Sequence, residues 1–133
     1  MAENKWWTFL FFLWMGTLTT LSLLPSDQLD VKTPPIPHLD KWAHFAFYTI
    51  AMTLGALFLR ERQYPKGGMR NALVGMVIAL TFYGMIIEVL QGMTNLDRSA
   101  EWWDIGANML GVLCGTGLSL LLFRNVRAFN WRD

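Results

Sequence analysis

Four long, predominantly apolar stretches, at about 7–24, 42–59, 72–90 and 103–123, take up most of the chain and leave it few ways to fold. Each is close to the ~20 residues that a helix needs to cross the hydrocarbon core of a bilayer. None alternates apolar with polar residues, so they do not read as strands of a membrane barrel. A chain of 133 residues has room for one domain, and one that is 53% hydrophobic with a mean hydropathy of +0.30 does not match a soluble domain of that size. The expected fold is all-α: a four-helix transmembrane bundle, multi-pass, forming a single domain over 1–133.

The first stretch follows Lys5 as a secretory signal would, but its apolar run is longer than a signal core and no A-x-A site follows it. It therefore reads as a retained helix. A net charge of +1 argues against a nucleic-acid partner. Cys114, the only cysteine, has no disulfide partner in the chain and reads as packing in mid-helix. The N-terminal tail, the second connection and the C-terminal tail carry eight lysines and arginines, against three in the first and third connections (Lys32, Lys41, Arg98). The positive-inside rule then places both termini in the cytoplasm. Tryptophans fit the same frame, with Trp6 and Trp7 at the inner interface and Trp42, Trp102 and Trp103 at the outer one. Trp14 lies in mid-helix, outside the pattern.

Along the chain, polar residues recur at helical spacing on single faces. The first helix carries Gly16, Thr19 and Thr20 close together and ends at Ser22-Leu-Leu-Pro25. The connection after it contains Pro34-Pro35-Ile36-Pro37, which favours an extended polyproline conformation, and beside it His38 reads as solvated. The second helix opens with Asp40, placed to cap it, and Lys41; His44 lies one turn deeper on the face that continues through Phe47, Ala51 and Gly55. In the third helix Thr81, Gly84 and Glu88 form a narrow stripe flanked by Gln91 and Gly92. Glu88 is expected in the last turn, where the helix dipole disfavours an anion, so it must be paired, protonated or cation-bound.

Arg98, in the third connection, has a planar fork suited to a carboxylate or phosphate; a plain Arg98–Glu88 pair is the alternative. Ser99 and Glu101 suit a cap and a first-turn anion. The fourth helix then places Asp104, Asn108, Gly111 and Gly115 in one sector. Its G-x-x-x-G allows close approach to a neighbouring helix and offers a face for an oligomer. With the orientation above, His44, Glu88, Asp104 and Asn108 all fall at the outer ends of three helices, whereas boundary polars placed at random would scatter over both.

Asp40-Lys41-x-x-His44 with Tyr48, then Glu88-x-x-Gln91, then Arg98 followed by Asp104-x-x-Ala107-Asn108-x-x-Gly111 with Gly115, together with Ser22-x-x-Pro25, resemble the signature of the VanZ-like family over most of the chain. The segment from Gly92 to Asp97 departs from that pattern in lacking a proline before the arginine. The resemblance implies a small four-helix protein of the bacterial cytoplasmic membrane, from a family named after a glycopeptide-resistance component associated with teicoplanin. Carried over residue by residue, its functional cluster is Asp40, His44, Glu88, Gln91, Arg98, Asp104 and Asn108.

Three functional classes stay open. In the first, Asp40, Lys41, Gln91, Arg98 and Asn108 bind the polar head group of a membrane lipid, a cell-envelope precursor or a glycopeptide-related ligand from the outer leaflet. In the second, Glu88 and His44 act as acid and base with Asp104 orienting the histidine. In the third, the cluster is an interhelical hydrogen-bond network in a structural subunit. No Ser-His-Asp spacing or H-E-x-x-H motif occurs, no cofactor is expected, and a metal held by His44, Glu88 and Asp104 ranks below these readings. A transporter ranks lower still, since no internal repeat or broken helix is visible.

Overall fold

The computed structural model describes residues 5–24, 36–63, 67–94 and 101–131. They form four α-helices, α1 (Trp6–Leu23), α2 (Leu39–Arg62), α3 (Gly68–Thr94) and α4 (Trp102–Asn125), followed by a short 3₁₀ turn at Arg127–Phe129. All four helices are long and apolar enough to cross a membrane. Side-chain contacts give their directions. Thr8 meets Glu61 and Phe11 stacks on Phe58, so α1 and α2 are antiparallel. Gln91 reaches Ser22 and Tyr83 meets Thr19, so α3 runs with α1. Lys41 meets Glu101 near the start of α4, and Arg60 reaches Ala128 beyond its end, so α4 runs with α2. Consecutive helices alternate up and down. The first and last turns that matter for the site therefore lie at one end: the start of α2, the end of α3 and the start of α4.

The parallel pair α2 and α4 makes the most extensive contact in the bundle, although the two helices are not consecutive. The cause is in the sequence. A Cβ at Gly111 would lie 2.4 Å from the carbonyl oxygen of Phe45, and one at Gly115 would lie 2.6 Å from that of Thr49. No side chain fits at either place, and backbone meets backbone. The face expected as an oligomer contact is thus occupied by α2 of the same chain. Around this seam the core comprises Leu18, Tyr48, Met52, Ala56, Leu80 and Val112, all nearly inaccessible. Outward faces are apolar, with Phe82, Ile86, Val89, Leu110 and Leu113 exposed.

The bounds of α2, α3 and α4 exceed the apolar stretches at both ends, and this changes two assignments. Because α2 begins at Leu39, Asp40 lies in its first turn; the cap position is His38, in the left-handed region at φ 58° with no capping side chain. Because α3 continues to Thr94, Glu88 is not in its last turn but more than a turn inside it. Hydropathy marks the part of a helix that avoids water, whereas the backbone hydrogen-bond ladder continues through polar residues. On α1, Thr19 hydrogen-bonds Tyr83, but Gly16 and Thr20 face outward, so only part of the expected stripe is packed. Cys114 also faces outward and does not pack in the interior.

Trp14 has an explanation that its position in the sequence conceals. Its indole Nε1–H donates to the carbonyl of Phe47 at 3.0 Å, tying α1 to α2 in mid-bundle. Trp14→Phe keeps an aromatic ring and removes the donor, and is expected to destabilise the protein by about 0.5–1.5 kcal/mol. Thermal unfolding in detergent, with Trp6→Phe as a neutral comparison at an exposed site, checks this.

At the opposite end from the site, Glu61 of α2 caps α1. Its carboxylate accepts from the backbone N–H of Trp7 at 3.2 Å and of Thr8 at 2.7 Å, satisfying donors that a helix start leaves open. Arg60 holds the C-terminal segment by donating to the carbonyls of Asn130 at 2.8 Å and Ala128 at 2.9 Å. Glu61→Ala should cost about 0.5–2 kcal/mol, the range for a lost helix cap. Hydrogen exchange at the Trp7 and Thr8 amides should accelerate; unchanged protection there would show that the cap contributes nothing.

Candidate functional site

Two layers of polar side chains meet at the end of the bundle where α2 and α4 begin. Helical periodicity sets them up: residues four apart stack on one face, so His44 and Tyr48 of α2, Glu88 and Gly84 of α3, and Asp104 and Asn108 of α4 form two successive tiers. Gly84 makes the lower tier possible. A Cβ there would lie 3.2 Å from Asn108 Nδ2 and 3.3 Å from the Tyr48 ring, so the missing side chain is what lets α2 and α4 reach α3.

In the upper tier His44 Nδ1 lies 3.1 Å from Asn108 Oδ1 and 3.7 Å from Glu88 Oε1. Both neighbours present an acceptor oxygen to Nδ1, an arrangement that favours a proton on that nitrogen. Glu88 is 1% exposed, Asn108 3% and His44 9%, so a carboxylate and an imidazole meet in a nearly dry interior. One ligand-type atom from each of His44, Glu88 and Asp104 lies within 4.8 Å of the others. The Tyr48 hydroxyl and Asn108 Nδ2 are buried and make no hydrogen bond among the described residues.

Lys41 closes the cluster at its rim. Its ammonium lies 2.8 Å from Glu101, 3.1 Å from Asp40 and 3.4 Å from Asp104. Asp40 and Glu101 are about half exposed, and the Asp104 side chain is only 12% exposed. Asp104 therefore joins the rim to the buried tier. Among the described residues, the rim and the buried layer together bring four carboxylates, one ammonium and one imidazole to this end of the bundle.

The structure brings together six of the residues expected to form a site: Asp40, Lys41, His44, Glu88, Asp104 and Asn108. Gln91 is buried on the same helix as Glu88, but its Nε2 donates to the Ser22 carbonyl at 2.6 Å, so the described contact serves α1 and α3. Arg98, Ser99 and most of the proline-rich connection lie outside the described residues. Sequence reasoning missed Glu101 as a partner of Lys41, though its place three residues before Asp104 was a signal for a shared face. It also left Tyr48 out of the site proper, although Tyr48 follows His44 by one helical turn. No protein-family model, curated protein or solved structure matches this chain.

Proposed function

We propose that the chain is a multi-pass, VanZ-like protein of the bacterial cytoplasmic membrane, with both termini in the cytoplasm, and that its polar cluster binds the head group of a cell-envelope lipid or a glycopeptide-related ligand at the outer leaflet. The observation that carries this reading is the buried cluster of His44, Glu88, Asp104 and Asn108, contributed by three helices at one end. Ionisable groups among membrane helices are costly, and a protein that needed only to pack would keep that layer apolar. Apolar outward faces suit lipid, and the excess of lysine and arginine at the opposite end supports an outer position for the site. Lys41 at the rim, Arg98 in the following connection and the Asn108 amide supply donors for a phosphate or carboxylate. A role in glycopeptide resistance of the teicoplanin type would follow from holding such a precursor.

Native mass spectrometry of the purified protein tests the reading through a co-purifying lipid. Arg98→Lys retains the charge and loses the bidentate fork, and is expected to weaken retention of an anionic head group about tenfold, or ~1.4 kcal/mol. Equal retention in both forms would remove Arg98 from the site.

A second reading rests on the 3.7 Å approach of His44 to Glu88, which suits an acid–base pair acting on an ester, phosphodiester or amide. Incubation with envelope lipids separates the two. Release of a water-soluble fragment supports an enzyme, and intact bound lipid supports a binder.

A further inference from the structure

A groove of about 400 Å³ runs between α3 and α4 in the half of the bundle away from the polar cluster. Its place follows from how the helices pack. At Gly84 the missing side chain lets Asn108 of α4 close onto α3, whereas in the other half Met76 of α3 fills the space left by Gly55 of α2. Between α3 and α4 that half stays open. Leu73 and Val77 of α3 and Leu120 of α4 form apolar walls, and Arg70 and Arg124, both exposed, stand at the end nearer the helix termini. Thr116 lies at the deep end, with its hydroxyl already donating to the Val112 carbonyl at 2.8 Å.

Topology asks for basic residues at this end of the bundle but does not say where on the surface they stand. Arg124, in the last turn of α4, suits the negative end of that helix. Arg70 has no such support. It lies in the first turn of α3, at the positive end of the dipole, and that turn holds no acidic residue. Among the described residues no acidic side chain lines the groove, and neither guanidinium makes a hydrogen bond or ion pair. The mouth is therefore complementary to an anion, and the walls below it to hydrocarbon.

We propose that this groove seats an anionic phospholipid, with its phosphate on Arg70 and Arg124 and one acyl chain along Leu73, Val77 and Leu120. Guanidinium forks match phosphate oxygens, and basic pockets between membrane helices are a recurrent seat for anionic head groups. A zwitterionic lipid would bring an ammonium to two guanidiniums and find no carboxylate, so head-group charge decides selection. The order of groups also fits: eight residues separate Arg70 from Ile78 and Thr116 from Arg124, so both walls run about 12 Å inward from the charged mouth. This site is distinct from the polar cluster. Along α3 the eighteen residues from Arg70 to Glu88 span about 27 Å, close to the ~30 Å of a hydrocarbon core, so the two places face opposite leaflets. With the orientation proposed above, the groove opens to the cytoplasmic one.

The test titrates the full chain, delipidated in detergent, with phosphatidylglycerol and separately with phosphatidylcholine of the same acyl chains, and counts bound lipid by native mass spectrometry. Phosphatidylglycerol is expected to bind at least tenfold more tightly, and the preference should vanish in the Arg70→Gln/Arg124→Gln double variant. Because that variant also removes charges that set topology, Val77→Phe provides a second reading: it keeps both arginines, narrows the groove and should weaken phosphatidylglycerol at least fivefold. Equal affinity for the two lipids, or a preference unchanged in the double variant, overturns the proposal. Unchanged binding in folded Val77→Phe does so too, since it leaves a surface charge contact without a seat in the groove. Glu88→Gln and Arg98→Lys separate this site from the outer one. A preference lost in those variants and kept in the double variant places the anionic lipid at the polar cluster and overturns the groove; a preference lost only in the double variant supports the groove, whatever becomes of the head-group reading.

Discussion

Gly111→Leu is expected to abolish the folded state. The first atom of any side chain at Gly111 would lie 2.4 Å from the Phe45 carbonyl oxygen and 3.1 Å from the Thr49 nitrogen, both backbone. A flexible side chain could swing away, but a helix backbone moves only as a whole. Ordinary overpacking costs about 1–3 kcal/mol, and a leucine wedged between two helix backbones should exceed that. Gly111→Ala should fall within that range and Gly115→Ala close to it. Controls lie on the same helix: a methyl group added at Gly106 or Gly117 would meet nothing within 4 Å, so alanine there should be neutral or slightly stabilising. Thermal unfolding in detergent compares the four positions directly. Equal stability of the Gly111 and Gly117 variants would mean that the α2–α4 seam does not hold the bundle together.

Glu88→Gln should have the second-largest effect, on ligand retention rather than on folding. The amide has nearly the shape of the carboxylate and keeps the packing of a site only 1% exposed, while it removes the acid beside His44. If the cluster binds a head group as proposed, retention of that ligand should fall at least tenfold, or ~1.4 kcal/mol, since the acid beside His44 is gone. Glu88→Leu serves as the contrast, removing shape and hydrogen bonding as well. Should Glu88→Gln fold, retain ligand and function as the unaltered protein does, the cluster is an interhelical network and no more.

Much of this arrangement is legible in the sequence, for identifiable reasons. Twenty-residue apolar runs have few other folds, and Gly111 and Gly115 announce a close helix contact. Which helix meets them is not legible, because any neighbour satisfies a small-residue face; the partner is α2, parallel and two helices back in the chain. The tiers of His44, Glu88, Asp104 and Asn108 can be placed on faces by helical period, yet their mutual distances depend on rotation and depth that periodicity does not set. Asp40 reads as a cap because the apolar run begins after it, while the helix itself starts at Leu39. Contacts between a side chain and a distant backbone carbonyl leave no pattern to find, as with Trp14 on Phe47, Gln91 on Ser22 and Arg60 on the C-terminal segment.

The seam between α2 and α4 also bears on how the protein is made. Helices emerge from the ribosome in order, and α2 is complete long before α4 exists. Until Gly111 and Gly115 arrive, the backbone groove at Phe45 and Thr49 has no occupant from α4, and His44 and Glu88 lack Asn108 and Asp104. The cluster of His44, Glu88, Asp104 and Asn108 is therefore complete only once the fourth helix has packed against the second.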